Sequence, residues 1–236
     1  MADWTNPVNH PQLLPGEAHV WSAAIPLEGP ALEQAFSVLS REERERAGRF
    51  KQEGDGPRYI SCRGTLRRLL AAYQGRGPAD LQFECNEFGK PYLVGGGIHF
   101  NVAHCRGMAL FAFARDREVG VDVEPLSRKV EARRVANRYF SPGEIAQLAS
   151  VPDAEYPRAF LNGWTRKEAY IKAVGKGLRI PLDSFEVSLG NPARIQLIAG
   201  SKAKADEWTL HNLEPGSEHI GAVAALGEWT LLSYRT

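Results

Sequence analysis

Two periodicities organise this chain. A period of two runs through Gly-Val-Asp-Val-Glu at 120–124, setting Val121 and Val123 on one face and Asp122 with Glu124 on the other, which predicts a buried strand. The apolar run from Met108 to Arg115 predicts a second strand, and Arg-Asp-Arg-Glu at 115–118 predicts a hairpin joining the two. A helical period fills RGTLRRLLAAYQG from Arg63 and WTRKEAYIKAVGKG from Trp164, each closed by glycine. Ser40-Arg-Glu-Glu43 and Ser141-Pro-Gly-Glu144 both fit a capping box, with Ser as N-cap and Glu at the third helical position. In the second box Pro142 occupies the first helical position, where its missing N–H costs nothing.

These landmarks recur at nearly one offset. The boxes lie 101 residues apart (40 to 141), and so do the helical stretches (63 to 164). Each stretch leads through a proline-containing turn to a Phe-led strand, around Phe83 and Phe185. The pattern predicts an α+β fold made by pseudo-twofold duplication of two similar halves, 1–118 and 119–236, with a ligand cleft between them. The alternative is a chance alignment of helices. The strand bearing Asp122 and Glu124 opens the second half and would line the cleft.

Two carboxylates on one strand face repel each other and resist leaving water, so something must neutralise them. In the second helix Glu168 and Lys172 are i, i+4 neighbours, about 6 Å apart along the axis. Asp122, Glu124 and Glu168 together would make a hard oxygen set suited to Mg²⁺. Salt bridges from nearby arginines or lysines are the competing account, and a solvated Glu–Lys pair is the plain reading of the helix alone. Lys90 in the turn before Pro91, His104 after an alternating strand, and Arg46 and Arg58 on or near the first capped helix suggest a polyanionic ligand. The stretch 127–140 reads as a basic helix carrying Arg128, Lys129, Arg133, Arg134 and Arg138, a docking surface for an acidic protein or a solvated face.

Composition narrows the field. A net charge of +1 supplies no overall basic field for nucleic acid or anionic membrane. No apolar run approaches the roughly 20 residues a membrane span needs. The N-terminal residues have neither a basic start nor an apolar core, so no secretion signal is expected. Cys62, Cys85 and Cys105 are odd in number and lack metal-site spacing, which suits a reducing, cytoplasmic compartment.

The motifs FGKP, FNVAH, GVDVE and WTRKEAYIKAVGKGL stand here in an order and at spacings that resemble the 4′-phosphopantetheinyl transferases, specifically the larger surfactin-synthetase-activating type. The resemblance runs from about Arg41 to Phe185 and implies two similar α+β halves with coenzyme A bound between them, in a monomer. It implies Mg²⁺-dependent transfer of phosphopantetheine from coenzyme A to a serine of an apo acyl or peptidyl carrier protein, releasing adenosine 3′,5′-bisphosphate. On this resemblance Asp122, Glu124 and Glu168 match the metal-binding positions and Lys172 the lysine near the reacting phosphate. Lys90, Pro91, Asn101 and His104 match positions lining the coenzyme A site, Arg46 a basic position at the adenosine 3′-phosphate, with Arg58 an addition. Asp122, Glu168 and Lys172 are then the expected catalytic group, with Glu168 as general base, directly or through water.

Two positions depart from the pattern. Glu43 stands where some relatives have a second basic residue, and Ala103 replaces a serine beside the histidine. Each removes one hydrogen bond to the ligand, about 1 kcal/mol. A coenzyme-A-binding regulatory module without chemistry is the rival reading; the intact carboxylates argue against it.

Overall fold

In the computed structural model, which describes residues 3–236, the chain is a mixed α+β fold. The first half runs β1 (Trp4–Thr5), β2 (Glu17–Ala24), α1 (Gly29–Ser37), α2 (Arg41–Gly48), α3 (Asp55–Gln74), β3 (Phe83–Cys85), β4 (Pro91–Leu93), β5 (His99–Cys105) and β6 (Met108–Ala114). The second runs β7 (Val119–Pro125), α4 (Ala132–Tyr139), α5 (Pro142–Ala149), α6 (Tyr156–Val174), β8 (Phe185–Val187), β9 (Ile195–Ile198), α7 (Lys202–Asp206), β10 (Trp208–Gly216), β11 (His219–Leu226) and β12 (Thr230–Arg235). One sheet has the order β1-β12-β2-β6-β5, another β10-β11-β7, and β3-β4 and β8-β9 form two small ribbons. No helix among the described residues is long and apolar enough to cross a membrane.

Alternation in the sequence sorts side chains into layers. Leu110, Ala112 and Ala114 of β6 meet Val119, Val121 and Val123 of β7 in an apolar seam between the two larger sheets. Phe111 and Phe113 point the other way and pack under Leu66, Leu69 and Leu70 of α3. On the far side, Ala169, Ile171 and Ala173 of α6 cover Leu210, Ala222 and Ala224 of the three-stranded sheet. The result is four layers: helix, sheet, sheet, helix.

Both capping boxes form as the sequence predicts, with Ser40 and Ser141 accepting from the backbone of Glu43 and Glu144. Each box glutamate then meets a buried cation of the long helix that follows. Glu43 lies 2.7 Å from Arg67, and Glu144 lies 2.7 Å from Lys167. Both long helices end on a left-handed glycine, Gly75 at φ 63° and Gly175 at φ 72°.

Three local expectations are corrected. The 115–118 segment is not a hairpin, because β6 already has β2 on one edge and β5 on the other, leaving no free ladder for β7. The chain instead crosses to the second sheet, where β7 pairs with β11. The basic helix is shorter than 127–140: α4 begins at Ala132, and the preceding residues turn so that Arg128 reaches Glu124. Arg58 belongs to the first turn of α3 rather than to α2, which carries Arg46. A division at 118/119 also leaves β12 in the first half's sheet, parallel to β2.

The closest backbone approach lies between β7 and α6. A Cβ added at Gly120 would sit 2.1 Å from the Ala169 carbonyl oxygen and 2.2 Å from the Ala173 nitrogen. Gly120→Ala should therefore cost about 3 kcal/mol, the upper end for overpacking, measured as a lowered urea midpoint at unchanged slope. Gly48→Ala, whose Cβ would meet nothing within 4 Å, serves as the near-neutral control.

Candidate active site

The polar face of β7 looks at α6. Asp122 is 7% exposed, its Oδ1 accepting a hydrogen bond from Lys172 Nζ at 2.7 Å, while its buried Oδ2 has no partner among the described residues. Burial raises its pKa, and the Lys172 ammonium opposes that rise without cancelling it. Glu124 is half-buried and accepts from Arg128, whose guanidinium also lies 5.3 Å from the Trp164 ring. Burial, then the neighbouring Asp122 charge, push Glu124 up to about 7. Glu168, half-buried one helical turn before Lys172, is raised by burial and by Asp122.

Three mutually repelling carboxylates thus face two cations. Among the described residues they are not drawn into a ready-made cage for a metal ion, since Lys172 and Arg128 hold Asp122 and Glu124. The salt-bridge account is therefore realised, yet it leaves the site short of positive charge. The unpartnered Oδ2 of Asp122 and the upward shifts of all three acids are what a site built for a further cation shows. The donor set fits a divalent ion held by Asp122, Glu124 and Glu168.

A cationic group lies beside it. His104, exposed at the end of β5, has its pKa lowered first by partial burial, then by Arg58 and Lys172, which places those three side chains in one electrostatic neighbourhood. Arg58 is steadied at 2.7 Å by Asp55. Arg46 is exposed, its guanidinium 5.2 Å from the ring of Tyr59, the residue after Arg58. Glu43 turns inward to Arg63 and Arg67; burial pushes its pKa up, but those two cations and the Ser40 backbone hold it below the usual carboxylate range. Its departure from the basic pattern is a structural substitution. Ala103 is buried in the seam between the sheets.

Two of the expected ligand-lining side chains are engaged elsewhere. Asn101 Oδ1 accepts from the Val121 N–H at 3.0 Å, tying β5 to β7 where no ladder joins them. Lys90 Nζ lies 2.5 Å from Glu118 and 3.3 Å from the carbonyl oxygens of Val119 and Ala173. Pro91 starts β4 opposite Cys85, next to a cavity of about 270 Å³ that Lys90, His99 and Glu118 also line. Arg128, read as part of a docking face, is instead the ion partner of Glu124. Lys167 and Arg166 are wholly buried beneath the same helix, Lys167 donating to the carbonyls of Leu182 and Phe185. Sequence reasoning missed Asn86 and Asp55; Asn86 stands in a turn with glycine three positions on, a signal for a side chain that organises the turn backbone.

A family model described as the 4′-phosphopantetheinyl transferase superfamily matches residues 118–224, the span that holds β7 and α6. The chain is 35% identical over 223 residues to the 4′-phosphopantetheinyl transferase HetI of a Nostoc species, covering 91% of this chain and 90% of that one. It is 31% identical over 192 residues to the 4′-phosphopantetheinyl transferase Sfp of Bacillus subtilis, covering 81% and 84%.

The pKa of Glu124 sets a pH test on the metal-free protein. Its folded value of about 7 lies above the ordinary 4.5, so this contribution to stability is complete below the ordinary value and is lost as pH rises through about 7. The melting temperature without metal should fall between about pH 4.5 and about pH 7 and level off above that, and Glu124→Gln should flatten the fall. Mg²⁺ should raise the melting temperature of the unsubstituted protein at the upper pH, because it binds only the folded site.

Proposed function

The chain belongs to the 4′-phosphopantetheinyl transferase superfamily and is a transferase enzyme, and from that premise we propose that it moves the 4′-phosphopantetheine group of coenzyme A to a serine hydroxyl of an apo acyl or peptidyl carrier protein. The reaction forms a serine O–P bond at the β-phosphate, breaks the diphosphate bridge, and releases adenosine 3′,5′-bisphosphate. The observation that carries this reading is the convergence of Asp122 and Glu124 from a strand with Glu168 from a helix, all with raised pKa, beside the Arg58 and Lys172 cations and the His104 imidazole. The two halves then act as a pseudo-twofold pair with the substrate between them, in a cytoplasmic monomer.

Asp122, Glu124 and Glu168 would hold a Mg²⁺ ion, which would supply charge neutralisation for the diphosphate. Lys172, which donates to Asp122 in this structure, donates to a phosphate oxygen and balances the charge gathering on the leaving bisphosphate. Glu168 accepts the proton of the attacking serine hydroxyl; burial and the Asp122 charge raise its basicity, which favours that transfer. Arg58, His104 and the exposed Arg46 bind the remaining phosphates. Lys90, Pro91 and Asn101 contribute through the strands and turn they fix.

The carrier docks on α4. Arg133 and Arg134 are exposed there, Arg133 paired with Asp153 and 4.2 Å from the Tyr156 ring, Arg134 paired with Glu131, and an acidic helix of the carrier can displace the two surface pairs.

Three outcomes are expected. Incubation with coenzyme A, Mg²⁺ and an apo carrier should add one phosphopantetheine arm to the carrier by mass spectrometry, and chelation should prevent it. Coenzyme A binding with no mass gain on any carrier would favour the regulatory-module reading instead. Glu168→Gln should lower kcat by about 10²–10⁴-fold while coenzyme A binding stays within about tenfold; near-normal turnover at saturating Mg²⁺ would remove Glu168 as base. Reversing Arg133 and Arg134 to Glu should raise the carrier KM and flatten its salt dependence, and unchanged values would move docking elsewhere.

A further inference from the structure

The FGKP turn does more than lie beside the cleft. Asn86 Oδ1 accepts from the backbone N–H groups of Phe88 and Lys90, both at 2.9 Å, and so shapes the β3–β4 turn. Its Nδ2 donates at 3.1 Å to the carbonyl of Gly175, the residue that ends α6. Lys90, with a side chain only 11% exposed, brings its ammonium to the Ala173 carbonyl in the last turn of α6 and to the Val119 carbonyl at the start of β7. Glu118 anchors that ammonium at 2.5 Å and takes His99 at 2.8 Å with its other oxygen. His99 first, then Lys90, hold the Glu118 carboxyl down at about 2, so it stays charged across the working range. Phe88 at the turn tip lies 5.0 Å from the Arg179 guanidinium, just beyond α6.

The C-terminal end of a helix leaves carbonyls unpaired and carries partial negative charge, so a buried cation there both satisfies and anchors it. Fit is tight: a Cβ at Gly175 would come within 2.9 Å of the Lys90 Cδ. One turn back along α6 is Lys172, and one turn before that Glu168. Through these bonds a turn from the first half fixes the end of the helix that bears the reacting groups of the second.

We infer that the β3–β4 turn is a clamp on the C-terminal end of α6, in which the side chains of Lys90 and Asn86 position Glu168 and Lys172. The inference rests on the proposal that the carboxylates of β7 and α6 are the reacting centre. Lys90 acts on the rate by fixing where α6 stops, so its loss changes kcat more than substrate KM.

The test uses the full chain with Lys90→Met, Glu118→Gln and Asn86→Ala, and Lys90→Arg as the conservative partner. Amide hydrogen exchange of the metal-free variants should quicken about tenfold over residues 171–175, with β6 unchanged as evidence that the fold is intact. In carrier labelling kcat should fall about tenfold with the coenzyme A KM within about threefold, and Lys90→Arg should recover most of the rate. Unchanged exchange at 171–175 in both Lys90→Met and Glu118→Gln overturns the clamp. So does faster exchange with unaltered kcat, and so does about a tenfold rise in coenzyme A KM at constant kcat, which would make Lys90 a ligand of the substrate. If the unsubstituted protein labels no carrier, the proposed function fails, and the exchange result alone still decides whether the clamp exists.

Discussion

The site depends on how near a helix can come to a strand. At Gly120 the backbone of β7 has no side chain to hold α6 away, and the turns at Ala169 and Ala173 settle directly on it. Two residues of strand advance about 6.6 Å and one helical turn about 5.4 Å, so side chains spaced i, i+2 on β7 stay nearly in step with those spaced i, i+4 on α6. Asp122 and Glu124 follow Gly120 at that stride, while Glu168 and Lys172 each precede one of the two contacting alanines. A bulkier residue at 120 would lift the helix, and four functional side chains would separate together.

The same chain holds buried acids of two kinds, and the contrast sorts structure from chemistry. Glu144 is fully buried, yet it accepts from the Ser141 and Val187 N–H groups and pairs with Lys167. Glu43 is likewise enclosed by Ser40, Arg63 and Arg67. Those acids are satisfied, and their work is to fix helix starts against the long helices. Asp122 is as deeply placed but keeps one oxygen without a partner beside two further carboxylates. An imbalance of that kind costs stability in the metal-free protein, and it is explained by a ligand that brings positive charge.

Much of this was legible locally. The alternation at 120–124, the two capping boxes and the glycine stops at 75 and 175 are each encoded within a few residues, and each forms as the pattern predicts. What pairs with what is set by distant segments and left no local trace. Nothing around 115–118 reveals that β6 is already paired on both edges. Nothing in 230–235 reveals its return to the first half's sheet. Charges misled for a related reason: Arg166 and Lys167 sit in a helix that reads as partly solvated, yet both are wholly buried, with carbonyl oxygens as partners that a sequence cannot display. Arg128 and Asn101 likewise found their partners, Glu124 and the Val121 backbone, through tertiary proximity.

Those partners reveal a division of labour between the halves. The carboxylates of the proposed reacting centre and Lys172 all belong to β7 and α6 of the second half, whereas Arg46, Arg58 and His104 come from the first. Residues of the first half also hold the backbone of both second-half elements: Asn101 at Val121, Lys90 at Val119 and Ala173, Asn86 at Gly175. Each contact falls within three residues of Asp122 or of Lys172. A slip between the halves would therefore disturb the carboxylate geometry and the placing of Arg46, Arg58 and His104 at once. Chemistry drawn from both sides of a seam requires the seam to be fixed beside the carboxylates, and these four cross-half hydrogen bonds fix it there.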